Sequence, residues 1–96
     1  MEIISRPVLV ISENVSNKFS PVVTVVALTA TTKDKPLPIH VTLQENEVGV
    51  KQTSTILCDC IYSIDKRKIK SVVGNVSDEK MVQVNNALKL HLSLNS

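Results

Sequence analysis

The order of patterns along the chain predicts a mainly β fold, a small antiparallel barrel with one helix at its C-terminal end. Short β-branched segments, separated by polar or proline-containing breaks, occupy residues 7 to 73, and helical spacing begins only after Ser77. Strands and helices do not alternate, which argues against a doubly wound parallel sheet. A chain of 96 residues, 43% of them hydrophobic, suits a single domain, 1–96, whose limited core makes a partner subunit unsurprising.

Pro7 to Ile11 is apolar on both alternating faces, the pattern of a central strand covered on both sides, with Pro7 tolerated at the strand's first position. The Ser, Asn and Pro content of Ser12 to Pro21 marks a loop. A long strand, Val22 to Ala30, follows. The stretch Thr31 to Pro38 breaks the pattern, after which Ile39, Val41 and Leu43 alternate with His40, Thr42 and Gln44 as in a half-exposed strand. A loop around Gly49, a strand from Thr55 to Tyr62, a turn at Ser63 to Lys66 and a strand from Ile69 to Val73 complete the β-rich part. Ser77 then offers an N-cap oxygen, Asp78 and Glu79 suit the positive end of a helix dipole, and Met81, Val84, Leu88, His91 and Leu92 form the apolar stripe.

Composition narrows the function classes. The first residues lack the basic-then-apolar pattern of a secretory signal, and no apolar run approaches the roughly 20 residues that span a bilayer, so a soluble cytoplasmic protein with no membrane contact is expected. The net charge is +2, yet Asp65 to Lys70 holds four cations against one carboxylate, so the basic character is a single patch. Such a patch attracts phosphate backbones, or is simply a solvated turn. Cys58 and Cys60, i and i+2 on a strand, lie parallel on one face, poor geometry for a mutual bridge and better suited to reduced, packed thiols. With His40 and His91 they reach a zinc site's ligand count but match no compact spacing, and no metal is expected. Neither a phosphate-binding loop nor a hydrolase elbow is present, and Phe19 and Tyr62 are the only aromatics.

One geometric expectation follows. If the first two strands form a hairpin around residues 12 to 21 with Ile11 opposite Thr24, then Arg6 lies opposite Thr29. A guanidinium fork beside a hydroxyl suits a phosphate; the bland alternative is an ordinary surface Arg and strand Thr. His40, outward on its strand, is accessible as a base, whereas His91 falls in the helix's apolar stripe.

The ordered set Arg6-Pro7-Val8-Leu9-Val10-Ile11, Asn17-Lys18-Phe19-Ser20-Pro21, Ala27-Leu28-Thr29-Ala30, Leu37-Pro38-Ile39-His40-Val41 and Ser63-Ile64-Asp65-Lys66-Arg67, with the closing helix, resembles the MazF/PemK endoribonuclease family from Arg6 to about Leu94. The resemblance implies an SH3-like barrel, a homodimer, an antitoxin partner and cleavage of single-stranded RNA without metal or other cofactor. It assigns catalysis to Arg6 and Thr29, and RNA binding to Asn17, Lys18, Phe19, Lys66 and Arg67. The implied reaction is attack of a ribose 2′-hydroxyl on the neighbouring phosphate, leaving a 2′,3′-cyclic phosphate and a 5′-hydroxyl. His40 falls in a structural segment of the family.

Two departures stand out. Family members ordinarily begin with an extra strand and a glycine-containing loop before the Arg-Pro-Val segment, where this chain has Met1 to Ser5. Where the family commonly has Glu, Gln and Arg, this chain has Asp59, Cys60 and Tyr62, so base preferences do not carry over. The alternative to an active ribonuclease is therefore an inactive barrel that binds antitoxin or RNA. A gyrase-poisoning toxin of the CcdB type shares the barrel, but acts through a Trp-containing tail that this chain lacks.

Overall fold

The computed structural model describes residues 6–30, 37–44, 50 and 52–94. The expected features at Met1 to Ser5, most of the break at 31–38 and the loop around Gly49 lie outside the described residues. Four strands, β1 (Val8–Val10), β2 (Val22–Ala30), β3 (His40–Leu43) and β4 (Ser54–Asp65), form one antiparallel sheet in the order β1-β2-β4-β3. Helix α2 (Asp78–Leu92) packs on one face, so the described part is a mainly antiparallel half-barrel with a C-terminal helix.

The core lies between the sheet and α2. Val26, Val41, Leu43, Ile56 and Cys58 from the strands meet Val84 and Ala87 of the helix, all of them buried, with Leu9, Leu28, Ile61, Met81 and Leu88 packed around them. These side chains supply most of the burial that holds so small a domain together. Ser77 caps α2 as expected, its Oγ accepting from the Lys80 N–H at 3.1 Å. The helix stops at Ser93, which takes a left-handed conformation (φ 56°) while the Leu94 N–H closes back onto the Lys89 carbonyl at 2.9 Å. The apolar stripe is shorter than expected: Val84 and Ala87 are buried, but His91 and Leu92 are exposed. The last turn of α2 has run past the sheet that would cover it.

Several expectations about strands are corrected. Pro7 to Ile11 is not a central strand: β1 is an edge strand among the described residues, with Val8 and Val10 each more than a third exposed. Alternation reports which residues are apolar, not where a strand lies in the sheet order. The expected loop 12–21 contains a short helix, α1 (Asn14–Phe19), started by Glu13, whose carboxylate accepts from the Val15 N–H at 3.1 Å. The turn placed at Ser63 to Lys66 is instead the end of β4, because Ser63, Ile64 and Asp65 pair with Thr24, Val23 and Val22. Ile69 to Val73 is not a strand. β2 begins at Val22, so the ladder ends with the Lys66 N–H donating to the Pro21 carbonyl at 3.0 Å, and a 3-10 turn (Lys66–Lys68) follows.

Within β4 the pairing with β2 skips. Val26 lies opposite Ile61 but Ala27 lies opposite Leu57, which leaves Cys58, Asp59 and Cys60 as an insertion in the ladder. An odd number of extra residues exchanges the two faces of a strand. Before the bulge Ile56 and Cys58 face the helix; beyond it Ile61 does, beside Val26, and Tyr62 turns outward at 55% exposure.

Candidate nucleic-acid interface

The hairpin register agrees with the one expected from sequence. Val8, Leu9 and Val10 pair with Ala27, Val26 and Val25, and the Ile11 N–H donates to the Thr24 carbonyl at 2.9 Å. At the other end the Leu28 N–H donates to the Pro7 carbonyl at 3.3 Å, so the same register runs on to set Arg6 opposite Thr29. Both residues are exposed. Arg6 has a fixed φ neighbour in Pro7, which stiffens the approach to the strand, and Thr29 sits on β2, one of the two inner strands. A cation and a hydroxyl therefore share one open sheet face, an arrangement able to bind a phosphate and stabilise added negative charge on it.

Thr29 continues a row. It lies opposite Thr55 of β4, and Thr55 lies opposite Thr42 of β3, so three hydroxyl side chains line up across three strands on the face away from α2. Next to them on that face come Ala27, Leu57 and His40, and Asp59 follows at the bulge. The sequence showed these threonines separately; only the register brings them into line.

His40 is less accessible than its outward place on the strand suggests. Its side chain is only 11% exposed, and its Nε2 lies 3.0 Å from an Asp59 carboxylate oxygen. The pair ties β3 to the bulge of β4. Burial pulls the Asp59 carboxyl upward, but the hydrogen bond from His40, Asp59's own backbone N–H and the charges of His40 and His91 outweigh it and hold it below the ordinary carboxylate range. His91, in the last turn of α2, is exposed and not in the core.

The expected RNA-binding residues form a second group at the opposite end of β2. The side chain of Asn17 is engaged with Ser12, receiving its hydroxyl hydrogen and donating to its carbonyl at 2.9 Å. Ser12 Oγ in turn accepts from the Thr24 N–H at 3.1 Å, so α1 is stitched to β2. The Lys66 ammonium donates to the Asn17 carbonyl, bringing the 3-10 turn against α1. Lys18 lies over the ring of Phe19, 5.7 Å from its centroid, and that ring is 78% exposed. Arg67 is held in a bidentate pair by Asp65, with Nη2 to Oδ2 at 2.8 Å and Nε to Oδ1 at 3.1 Å. Arg67's side chain and backbone N–H together hold the Asp65 carboxyl below its usual range. Asn17 and Lys66 thus act first within the protein, while Lys18, Phe19 and the Arg67 side chain, for all its pairing with Asp65, present themselves to solvent. Seven residues of β2 separate this group from Thr29, roughly 23 Å of extended strand.

Both cysteines are free thiols. Cys58 is fully buried with Sγ 4.0 Å from the Val84 carbonyl, and burial together with the Asp59 charge pushes its pKa up to about 11. Cys60 sits half-buried in the bulge. Among the described residues no three His, Cys, Asp or Glu side chains converge to hold a metal ion, and no helix is long and apolar enough to cross a membrane.

Comparison with known proteins agrees with this fold. A model of the PemK-like, MazF-like toxins of type II toxin-antitoxin systems matches residues 3–92. The endoribonuclease MazF of Staphylococcus saprophyticus is 35% identical over 91 residues, which span 95% of this chain and 76% of that protein. Among solved structures, a mycobacterial endoribonuclease in complex with its cognate antitoxin superposes with a TM-score of 0.82 at 26% identity, over 95% of this chain and 84% of that one. The Mycobacterium tuberculosis toxin MazF-mt6 shares the fold, with a TM-score of 0.84 at 23% identity, over 95% of this chain and 89% of that one. The expected fold class therefore holds, and the chain belongs to the PemK-like, MazF-like toxin family of type II toxin-antitoxin systems.

Proposed function

We propose that this toxin is an endoribonuclease that cuts single-stranded RNA at Arg6 and Thr29, within one 1–96 toxin domain. The observation that carries the reading is the hairpin register, which sets a guanidinium opposite a hydroxyl on an open sheet face. The substrate's own 2′-hydroxyl is the nucleophile. Its oxygen bonds to phosphorus as the bond from phosphorus to the 5′-oxygen breaks; the 2′ proton leaves to base, and the departing oxygen takes one up. Arg6 neutralises the charge that grows on the phosphorane oxygens and Thr29 adds a hydrogen bond. A guanidinium presents five N–H donors and no acceptor, so Arg6 serves as an electrostatic partner and not as the general base. Because the nucleophile belongs to the substrate, no metal-activated water is required.

The second group extends the interface. Phe19 offers a stacking surface beside the Lys18 cation, Asn17 and Lys66 hold that platform in place, and Arg67 adds an exposed guanidinium for an RNA strand several nucleotides long. Solved relatives occur with a cognate antitoxin or as MazE-MazF assemblies. For this chain we read a homodimer whose RNA face an antitoxin segment covers, acting in the cytoplasm.

Incubating the purified protein with a long single-stranded RNA in EDTA, beside Arg6→Ala and Thr29→Ala, tests this directly. Discrete cuts leaving 5′-hydroxyl ends are expected, falling about 100- to 1,000-fold in either variant, as when one preorganised donor to a charged transition state is removed. Intact RNA with a folded wild-type protein would refute the reading and leave a binding module.

A further inference from the structure

We infer that Thr55 and Thr42, ending at Lys80, form a track that grips the RNA backbone beside the cleaved bond. The inference rests on the reading of Arg6 and Thr29 as the cleavage centre, and it assigns a role to residues that the reading leaves unused. The register supplies the geometry: Thr29, Thr55 and Thr42 face one another in turn across β2, β4 and β3. Directly opposed side chains on neighbouring strands stand about 5 Å apart, close enough to contact one continuous ligand. The row therefore runs across the strands, away from Arg6.

Its far end carries a second cation. The Lys80 ammonium reaches from α2 to the Thr42 carbonyl, 2.9 Å away, at the outer edge of β3. Arg6 and Lys80 thus bracket three hydroxyls over three strand spacings, roughly 14 Å. Cations at both ends with neutral donors between them suit a polyanion. Among the described residues of β4, the carboxylate on the same face is Asp59, four residues further along and roughly 13 Å from Thr55, and it is engaged with His40. Alongside the row, half-buried Ala27 and Leu57 give an uncharged floor. Phosphates lie on the hydroxyl row while sugars or bases rest on that floor. Hydroxyls meet phosphate oxygens in the same way whatever the base, so the track fixes position and not sequence.

The test uses a short RNA carrying the mapped cleavage site, with single flanking phosphates replaced by neutral methylphosphonates. Wild type is compared with the Thr42→Val/Thr55→Val double variant, which keeps side-chain shape, and with the Thr42→Ser/Thr55→Ser double variant, which keeps the hydroxyls. A methylphosphonate at one or two positions on one side of the cut is expected to lower wild-type kcat/KM about tenfold, the range for hydrogen bonds to a charged group, chiefly through KM. In the valine variant the same replacement should have less than about a twofold further effect, and the serine variant should regain the wild-type response. Equal losses in wild type and the valine variant, or no sensitive phosphate at all, would overturn the track. Failure of wild type to cut the unmodified RNA would instead refute the ribonuclease reading beneath it.

Discussion

Replacing Ile56 with alanine probes the packing behind the threonine row. Ile56 is fully buried, lies between Leu28 and Val41 in the sheet, and belongs to the cluster that meets Val84 and Ala87 of α2. The substitution removes three carbon groups, about 2.4 kcal/mol of transfer free energy at roughly 0.8 kcal/mol each. The cavity left between a sheet and a helix that cannot fully close adds to this, for a total of about 3 to 4 kcal/mol. A domain of this size is stable by roughly 5 to 14 kcal/mol, so the variant should still fold at low temperature. Urea unfolding followed by circular dichroism should show a lower midpoint with an unchanged slope. Val10→Ala on the edge strand, where the side chain is 38% exposed, should lose less than about 1 kcal/mol. A loss below about 1.5 kcal/mol for Ile56→Ala, or one no larger than that of Val10→Ala, would refute the placement of the core.

Three further outcomes are expected. Iodoacetamide should label Cys60 in the native protein while Cys58, buried and with a pKa of about 11, reacts only after denaturation; two rapid adducts by mass spectrometry would contradict this. Asp59 and Asp65 both titrate below their unfolded range, so the stability they contribute is fully present above about pH 4 and is lost as pH falls through their folded values. Melting temperatures should therefore decline on acidification below that point, and an Asp59→Asn/Asp65→Asn variant that declines as steeply as wild type would count against those pairs. Ser77→Ala should lower stability by about 1 kcal/mol and Ser77→Asp should retain most of it, since the cap oxygen is what Lys80's N–H requires.

The comparison of sequence with structure divides along physical lines. The register of the first hairpin could only be assumed, because the ten residues between the two apolar strands do not dictate it, and the assumed pairing of Ile11 with Thr24 is the one the structure has. The cap at Ser77 was legible because capping is a local property. The sheet order was not, since Val8 to Val10 carries the apolar content of a central strand although it lies at an edge. Ser63 to Asp65 has turn-like composition but is drawn into β4 by Val22, Val23 and Thr24, a tertiary effect that overrides propensity. Within the candidate site the same limit applies. Arg6 and Thr29 could be matched by counting, whereas the burial of His40 against Asp59 depends on the three-residue skip in β4, which nothing in Cys58-Asp59-Cys60 announces.

That skip also divides the long hairpin of β2 and β4 into two ladders with separate registers. One carries Thr29, Thr55 and, through β3, Thr42; the other carries Val22, Asp65 and the turn that grips α1. Cys58 to Cys60 pairs with no residue of β2, so the side chains at 59 and 60 stand beside the threonines but outside both ladders with β2. The two ends of the long hairpin are thus registered independently, each held by its own partners, and the side chains between them take no part in fixing either register.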